Sequence, residues 1–299
     1  MVYLYIADEG VWGELLKAIG RRLGRPFKII NIQHGLFTLR IIRTRMLRRF
    51  VNWLFGMATG YPLVGMDFGG SQLDVYFVYG DEEKKFIQAR SPRSTVITSP
   101  TICKYELMKK VGKIQAMLGS ESGLDATRMK LLFAAQINDI NPDCTHSEEQ
   151  IAAHLQPLFR YLKEKGCSVY YRLHPAIMDT KPFIDILDHH GILQDVIMCS
   201  DIAYEELLAK TGSTMSLQST VLYDGFVVGK MPVVVCGFTK NFSFTVPHES
   251  VNMMGNWKKE IDTALDNIGS YYKDIRGDLF EPEVLEFFSS IRGNKGGKA

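Results

Sequence analysis

The sequence predicts an α/β protein of two doubly wound domains facing a cleft. Three observations carry this. Short apolar runs alternate with stretches of helical period, the order that pairs strands in parallel. The alternation breaks off in a polar, glycine-containing stretch at 112–128 and then restarts. Several apolar runs also end in small polar motifs, at the strand ends where an open parallel sheet binds its ligands.

In the first half, residues 2–7 (VYLYIA) read as a buried strand that ends in the loop Asp8-Glu9-Gly10. Residues 11–23 follow a helical period, with Leu15, Leu16, Ile19 and Leu23 on one face, and Gly24 and Pro26 stop it. A second strand at 28–32 (KIINI) ends at Gln33-His34-Gly35 and completes a βαβ unit. Residues 36–57 are basic and apolar, and 58–72 are a glycine-rich loop containing Pro62. Strands follow at 75–78, ending in Tyr79-Gly80, and at 94–98, closing at Ser99-Pro100, with a charged helix start at Asp81-Glu82-Glu83 between them.

In the second half the strands fall at 129–135 (MKLLFAA), 168–173 (SVYYRL), 196–200, 214–217 and 232–236 (PVVVC). Helices fall at 147–166, 182–190, 203–209 and 221–228, with terminal helices at 257–272 and 281–292 and a disordered tail at 293–299. The helix at 147–166 carries Ile151, Leu155, Leu158, Phe159 and Leu162 at helical spacing.

Composition excludes several classes. With 46% hydrophobic and 23% charged residues, the chain is an ordinary globular one and not a disordered one. Thirty-five Lys and Arg against 33 Asp and Glu leave a net charge of +2, so overall charge points to no nucleic-acid partner. Cys103, Cys144, Cys167, Cys199 and Cys236 are odd in number and lack CxxC spacing. That argues against a disulfide framework or structural zinc, and fits a reducing cytoplasm. The N-terminus has no basic and apolar leader pattern, and no run of about 18 apolar residues could span a bilayer.

Four strand-end motifs could carry chemistry. In Asp8-Glu9-Gly10 one carboxylate can act as a general base beside the cleft, or the acids can simply complement the following helix N-terminus. Gln33-His34-Gly35 is either a packed turn or a cleft lining. In His174-Pro175, proline keeps the preceding residue extended, so the imidazole can meet a phosphate or carry a proton to a leaving oxygen; the alternative is a structural histidine. Arg172, two residues back on the same strand face, can add charge. Ser213-Thr214 and Ser219-Thr220 flank a strand, and the second pair opens a helix. Hydroxyls with helix N-terminal N–H groups make an anion site, or plain N-caps.

At this point the segments RLHP (172–175), SD (200–201), QSTVLYDGFVVGK (218–230) and PVVVC (232–236) resemble the nucleotide-sugar-binding domain of two-domain GT-B glycosyltransferases. The nearer resemblance is to bacterial surface-polysaccharide enzymes: polysialyltransferases and related sialyltransferases, capsule Kdo transferases, and teichoic-acid glycerophosphotransferases. Asp8-Glu9-Gly10, His174-Pro175 and Ser219-Thr220 match the sialyltransferase pattern of an acidic-acidic-Gly motif, an HP motif and a Ser/Thr pair. Gln33-His34-Gly35, followed by VYFVYG (75–80), looks like the capsule and teichoic-acid branch.

The resemblance implies a GT-B-like pair of Rossmann-like domains with a reduced or truncated N-terminal domain. The acceptor side is then 1–125, the nucleotide-sugar side 126–270, and a C-terminal helix and flexible tail 271–299. It implies transfer of a sugar, first a CMP-activated acidic sugar such as sialic acid or Kdo, to a polysaccharide or glycolipid acceptor. Glu9 is then the general base, with Asp8 second. His174 contacts the leaving phosphate, while Arg172, Pro175, Ser213, Thr214, Ser219 and Thr220 hold the donor. Gln33, His34 and Gly35 line the acceptor side. No metal or cofactor is implied beyond the nucleotide sugar. The rivals are a CDP-glycerol-type glycerophosphotransferase, a sugar epimerase of the same fold, and a non-catalytic glycan- or membrane-docking domain.

Arg40, Arg43, Arg45, Arg48 and Arg49 are interleaved with apolar residues and followed by Trp53. On a helix this is the pattern of a segment lying in a membrane interface; the resemblance implies a cytoplasmic protein in peripheral contact with the inner face of the membrane. The same surface can hold an acidic glycan, and an ordinary helix with a solvated basic edge reads identically.

Overall fold

A computed structural model describes residues 2–6, 19–20, 22–24, 27–33, 73–118, 129–135, 145–175, 177, 179–238, 246–271, 284, 286, 287 and 289. The chain packs as two compact units, Met1–Tyr105 with Asp278–Ala299, and Glu106–Gly277. The expected boundary at 125/126 lies outside the described residues.

The first unit holds four parallel strands in the order β1 (Val2–Ile6), β2 (Phe27–Ile32), β3 (Val75–Val78), β4 (Thr95–Thr98). Helix α1 (Asp81–Arg90) joins β3 to β4, and the short α2 (Pro100–Cys103) follows, capped by the Ser99 hydroxyl on the Ile102 N–H at 3.2 Å. β3 is buried on both faces, as a parallel strand should be. Tyr76 and Val78 pack with Ile29, Leu73, Ile87 and Val96 on one side; Val75 and Phe77 pack with Ile97 and Val284 on the other. Phe287 stands edge-on to Phe77 at 5.5 Å. Val284 and Phe287 thus pack on the first sheet, a long-range contact that local periodicity does not encode.

The second unit begins within α3 (Tyr105–Leu118), which runs seven residues into the polar stretch 112–128 where the domain boundary was expected. Its elements continue β5 (Lys130–Ala134), α4 (Glu148–Glu164), β6 (Ser168–Arg172), α5 (Lys181–His189), β7 (Ile197–Met198), α6 (Tyr204–Lys210), β8 (Ser213–Ser216), α7 (Val221–Val227), β9 (Met231–Cys236), β10 (Glu249–Asn252) and α8 (Trp257–Tyr271). The six strands are parallel, in the order β10-β9-β8-β5-β6-β7. α4 starts with a reciprocal capping box between Ser147 and Gln150. Its buried stripe, Ile151, Leu155, Leu158, Phe159 and Leu162, packs on Leu131, Phe133, Val169 and Tyr171. Across the sheet, Val111 of α3 and Leu207 and Leu208 of α6 pack on Leu132 and Cys199.

Helix α7 approaches β8 more closely than a side chain would permit. A Cβ on Gly225 would lie 2.1 Å from Thr214 Oγ1, 2.7 Å from its Cγ2 and 2.9 Å from its Cβ. Thr214 is fully buried in the middle of the sheet and has nowhere to move. Gly225→Ala is therefore expected to destabilise the fold by about 1–3 kcal/mol, the usual cost of overpacking. Thr214→Ala in the same chain should restore part of that loss. Urea midpoints of the three variants check it, and a Gly225→Ala midpoint equal to wild type would contradict the close contact.

Candidate active site

In the second unit the chain lays down β5, β6 and β7 outward in one direction, then returns past β5 to place β8, β9 and β10 on the other side. The reversal between β5 and β8 is a topological switch point, and the crevice beyond the strands' carboxyl ends there is the usual ligand site of such sheets. Ser219 and Thr220 form the turn from β8 into α7 at that point. His174 and Pro175 follow β6, the strand next to β5. Four of the expected site residues are thus gathered on the carboxyl side of one sheet.

Local geometry refines their roles. Ser219 Oγ accepts the Val221 N–H at 3.3 Å, and the Ser219 carbonyl accepts the Leu222 N–H at 3.1 Å. Thr220 is the N-cap of α7, but its hydroxyl makes no capping bond. Helix α7 ends one residue short of the expected 221–228. The His174 carbonyl accepts the Ile177 N–H at 3.0 Å, so the chain turns directly after the strand. His174 is half-buried and Pro175 exposed.

Arg172 is at the expected edge, where it also holds a neighbouring loop. Its Nη1 donates to the carbonyls of Ile202 at 2.6 Å and Cys199 at 3.3 Å, and its guanidinium lies 5.6 Å from the centre of the Tyr204 ring. Through Nη1 it anchors the loop between β7 and α6. Beside it, the Tyr204 hydroxyl donates to Asp224 Oδ2 at 2.6 Å. Burial, followed by the Asp224 carboxylate, pushes the Tyr204 phenol well above its ordinary value, so it remains a donor. Burial likewise pushes the Cys199 thiol up to about 11, which removes it as a nucleophile at neutral pH. Tyr204 and Asp224 were passed over in the sequence. The one available signal was an acid inside the otherwise apolar helix VLYDGFV.

Ser213 and Thr214 are a correction. They begin β8, at the end of the strand opposite the switch-point crevice, and both are fully buried. The Ser213 hydroxyl donates to the Met231 carbonyl at 2.5 Å, and the Thr214 hydroxyl packs against α7 with no partner among the described residues. Neither can reach a ligand from there. Lys230, which ends the motif at 218–230, is also buried at the amino end of the sheet, where its Nζ donates to the Thr211 carbonyl. Burial lowers its amine to about 7.

In the first unit, Gln33 lies just past the end of β2 and is buried. Its N–H donates to the Phe77 carbonyl at 3.0 Å and its Oε1 accepts the Tyr79 N–H at 3.1 Å, so it ties β2 to the end of β3. Asp8, Glu9, Gly10, His34, Gly35, Arg40, Arg43, Arg45, Arg48, Arg49 and Trp53 lie outside the described residues. Among the described residues, no three His, Cys, Asp or Glu side chains are grouped to hold a metal, and no helix is long and apolar enough to cross a membrane.

No protein-family model matches the chain, and no curated protein matches it by sequence. Solved structures do match by fold. The UDP-GlcNAc 2-epimerase from Neisseria meningitidis, solved with UDP-GlcNAc bound, superposes with a TM-score of 0.54 at 13% identity, over 92% of this chain and 71% of that one. A protein assigned as a UDP-N-acetylglucosamine 2-epimerase from Listeria monocytogenes gives 0.52 at 14% identity, over 92% and 68%. The wall teichoic acid polymerase TagF gives 0.40 at 12% identity, over 82% and 63%. At these identities the epimerase likeness shows the fold, Rossmann-like parallel α/β sheets of the GT-B kind.

Proposed function

We propose that this chain transfers a sugar from a nucleotide-activated donor to a cell-surface polysaccharide or lipid-linked glycan. The observation that carries the reading is the placement of His174 and the Ser219-Thr220 turn on the carboxyl side of one parallel sheet, around its switch point. In the reaction, an acceptor hydroxyl forms a new bond to the anomeric carbon and gives its proton to Glu9, with Asp8 beside it. The bond from that carbon to the donor phosphate breaks. His174 meets the departing phosphate oxygen, and the Ser219-Thr220 turn holds the phosphate where charge develops.

The donor is first a CMP-linked acidic sugar. A CDP-glycerol-type glycerophosphotransferase uses the same phosphate site, but with attack at phosphorus in place of carbon. Melting curves with CMP, CDP, UDP and UDP-GlcNAc test the reading. A nucleotide at 100 times its Kd adds about 2.7 kcal/mol to stability, which raises the melting temperature by roughly 5–10 °C in a domain of this size. A rise with CMP is the expected result. A rise with CDP alone selects the glycerophosphotransferase, and one with UDP-GlcNAc alone brings back the epimerase. No rise with any of the four overturns the transferase reading and leaves the docking domain.

A further inference from the structure

We infer that Tyr204 and Asp224 are positioning residues for the nucleotide phosphate, a partly buried hydrogen-bonded pair that fixes the Ser219-Thr220 turn relative to the strand end bearing His174. The inference rests on the transferase reading above and adds residues to which that reading gives no part.

The connection can be followed bond by bond. Arg172, two residues before His174, holds the loop that leads into α6 through its bonds to the Cys199 and Ile202 carbonyls. Tyr204 is the first residue of that helix, and its ring lies against the Arg172 guanidinium. Its hydroxyl reaches Asp224 at 2.6 Å, the short length of a bond to a carboxylate. Asp224 sits one turn into α7, where its N–H donates to the Thr220 carbonyl at 3.0 Å. The two motifs, 44 residues apart in sequence, are thereby joined through one strand and two helices.

A carboxylate only 5% exposed is an expensive way to join two helices. Replacing such buried polar pairs by apolar side chains of similar volume is often neutral for stability, so the pair's contribution here is the geometry it specifies. The contact of Gly225 with Thr214 fixes how deeply α7 sits on β8. The Tyr204–Asp224 bond ties α7 to α6, and through Arg172 to the strand that ends at His174. Both constraints act within the first two turns of α7.

Two variants test this by calorimetric titration with CMP, CDP and UDP. Tyr204→Phe keeps the ring against Arg172 and deletes the hydroxyl, which leaves Asp224 without that donor. Tyr204→Phe/Asp224→Leu removes both polar partners and should recover the urea midpoint that the single variant loses. The expected result is that the Kd of the nucleotide bound by the wild type rises about 10- to 100-fold in both variants, although the double variant is as stable as wild type. Affinity that returns together with stability overturns the inference and makes the pair merely structural. Wild-type affinity in both variants overturns it as well. If the wild type binds none of the three nucleotides, the transferase reading itself fails and the inference falls with it, an outcome distinct from the other two.

Discussion

Replacing His174 with alanine is expected to lower the rate of transfer by roughly 10²- to 10⁴-fold, the usual contribution of a group that serves the proton or charge of a transition state. The loss should fall on kcat and on kcat/KM alike. A phosphate in the bound donor already carries its charge, and what changes along the reaction is the extra charge on the bridging oxygen as its bond to carbon breaks. The fold should tolerate the change, because Leu173, not His174, is the core residue of that strand end. Initial rates with a sugar donor built on the nucleotide that stabilises the protein give the measurement. His174→Gln refines it. A glutamine amide can donate a hydrogen bond but cannot deliver a proton, so partial recovery would mark His174 as a donor to the phosphate, and none would mark it as an acid. Wild-type kcat in His174→Ala removes the residue from the mechanism.

The parts of this molecule that were legible in the sequence share a physical cause. Parallel strands are buried on both faces, so VYFV in β3, KLLFA in β5 and MPVVVC in β9 stand out as unbroken apolar runs between polar segments. The α4 stripe and its Ser147–Gln150 capping box follow from spacing alone. By contrast β10 reads ESVN and buries only Val251 deeply, because it lies at the edge of the sheet, and no apolar run betrays it. β8 misled for the opposite reason. Its residues Ser213, Thr214 and Ser216 look exposed by type, yet all are buried, since two of the hydroxyls donate to carbonyls of neighbouring strands at Met231 and Ala134. Which hydroxyl faces a ligand and which faces the next strand depends on the end of the strand it occupies, and composition is silent on that. Arg172 and Asp224 were hidden similarly, their partners lying 27 to 30 and 20 residues away, beyond any local pattern.

Glu9→Gln is the second large effect, again a loss of roughly 10²- to 10⁴-fold in kcat. Glutamine keeps the size of the side chain and its hydrogen-bonding reach but cannot accept the acceptor's proton. The loss should therefore come with a changed pH profile: a general base must be ionised, so the acid limb of kcat/KM in the wild type should flatten in the variant. Asp8→Asn should cost less and leave that limb in place. Combining the substitutions tests the mechanism more sharply than either does alone. If Glu9 takes the proton while His174 meets the departing phosphate in one transition state, then Glu9→Gln has already lost the concerted step that His174 assists. Adding His174→Ala should then cost clearly less than it does in the wild type. Losses that multiply without interaction would place the two residues in separate steps, and a concerted displacement with one residue at each end of the reacting centre would have to be given up.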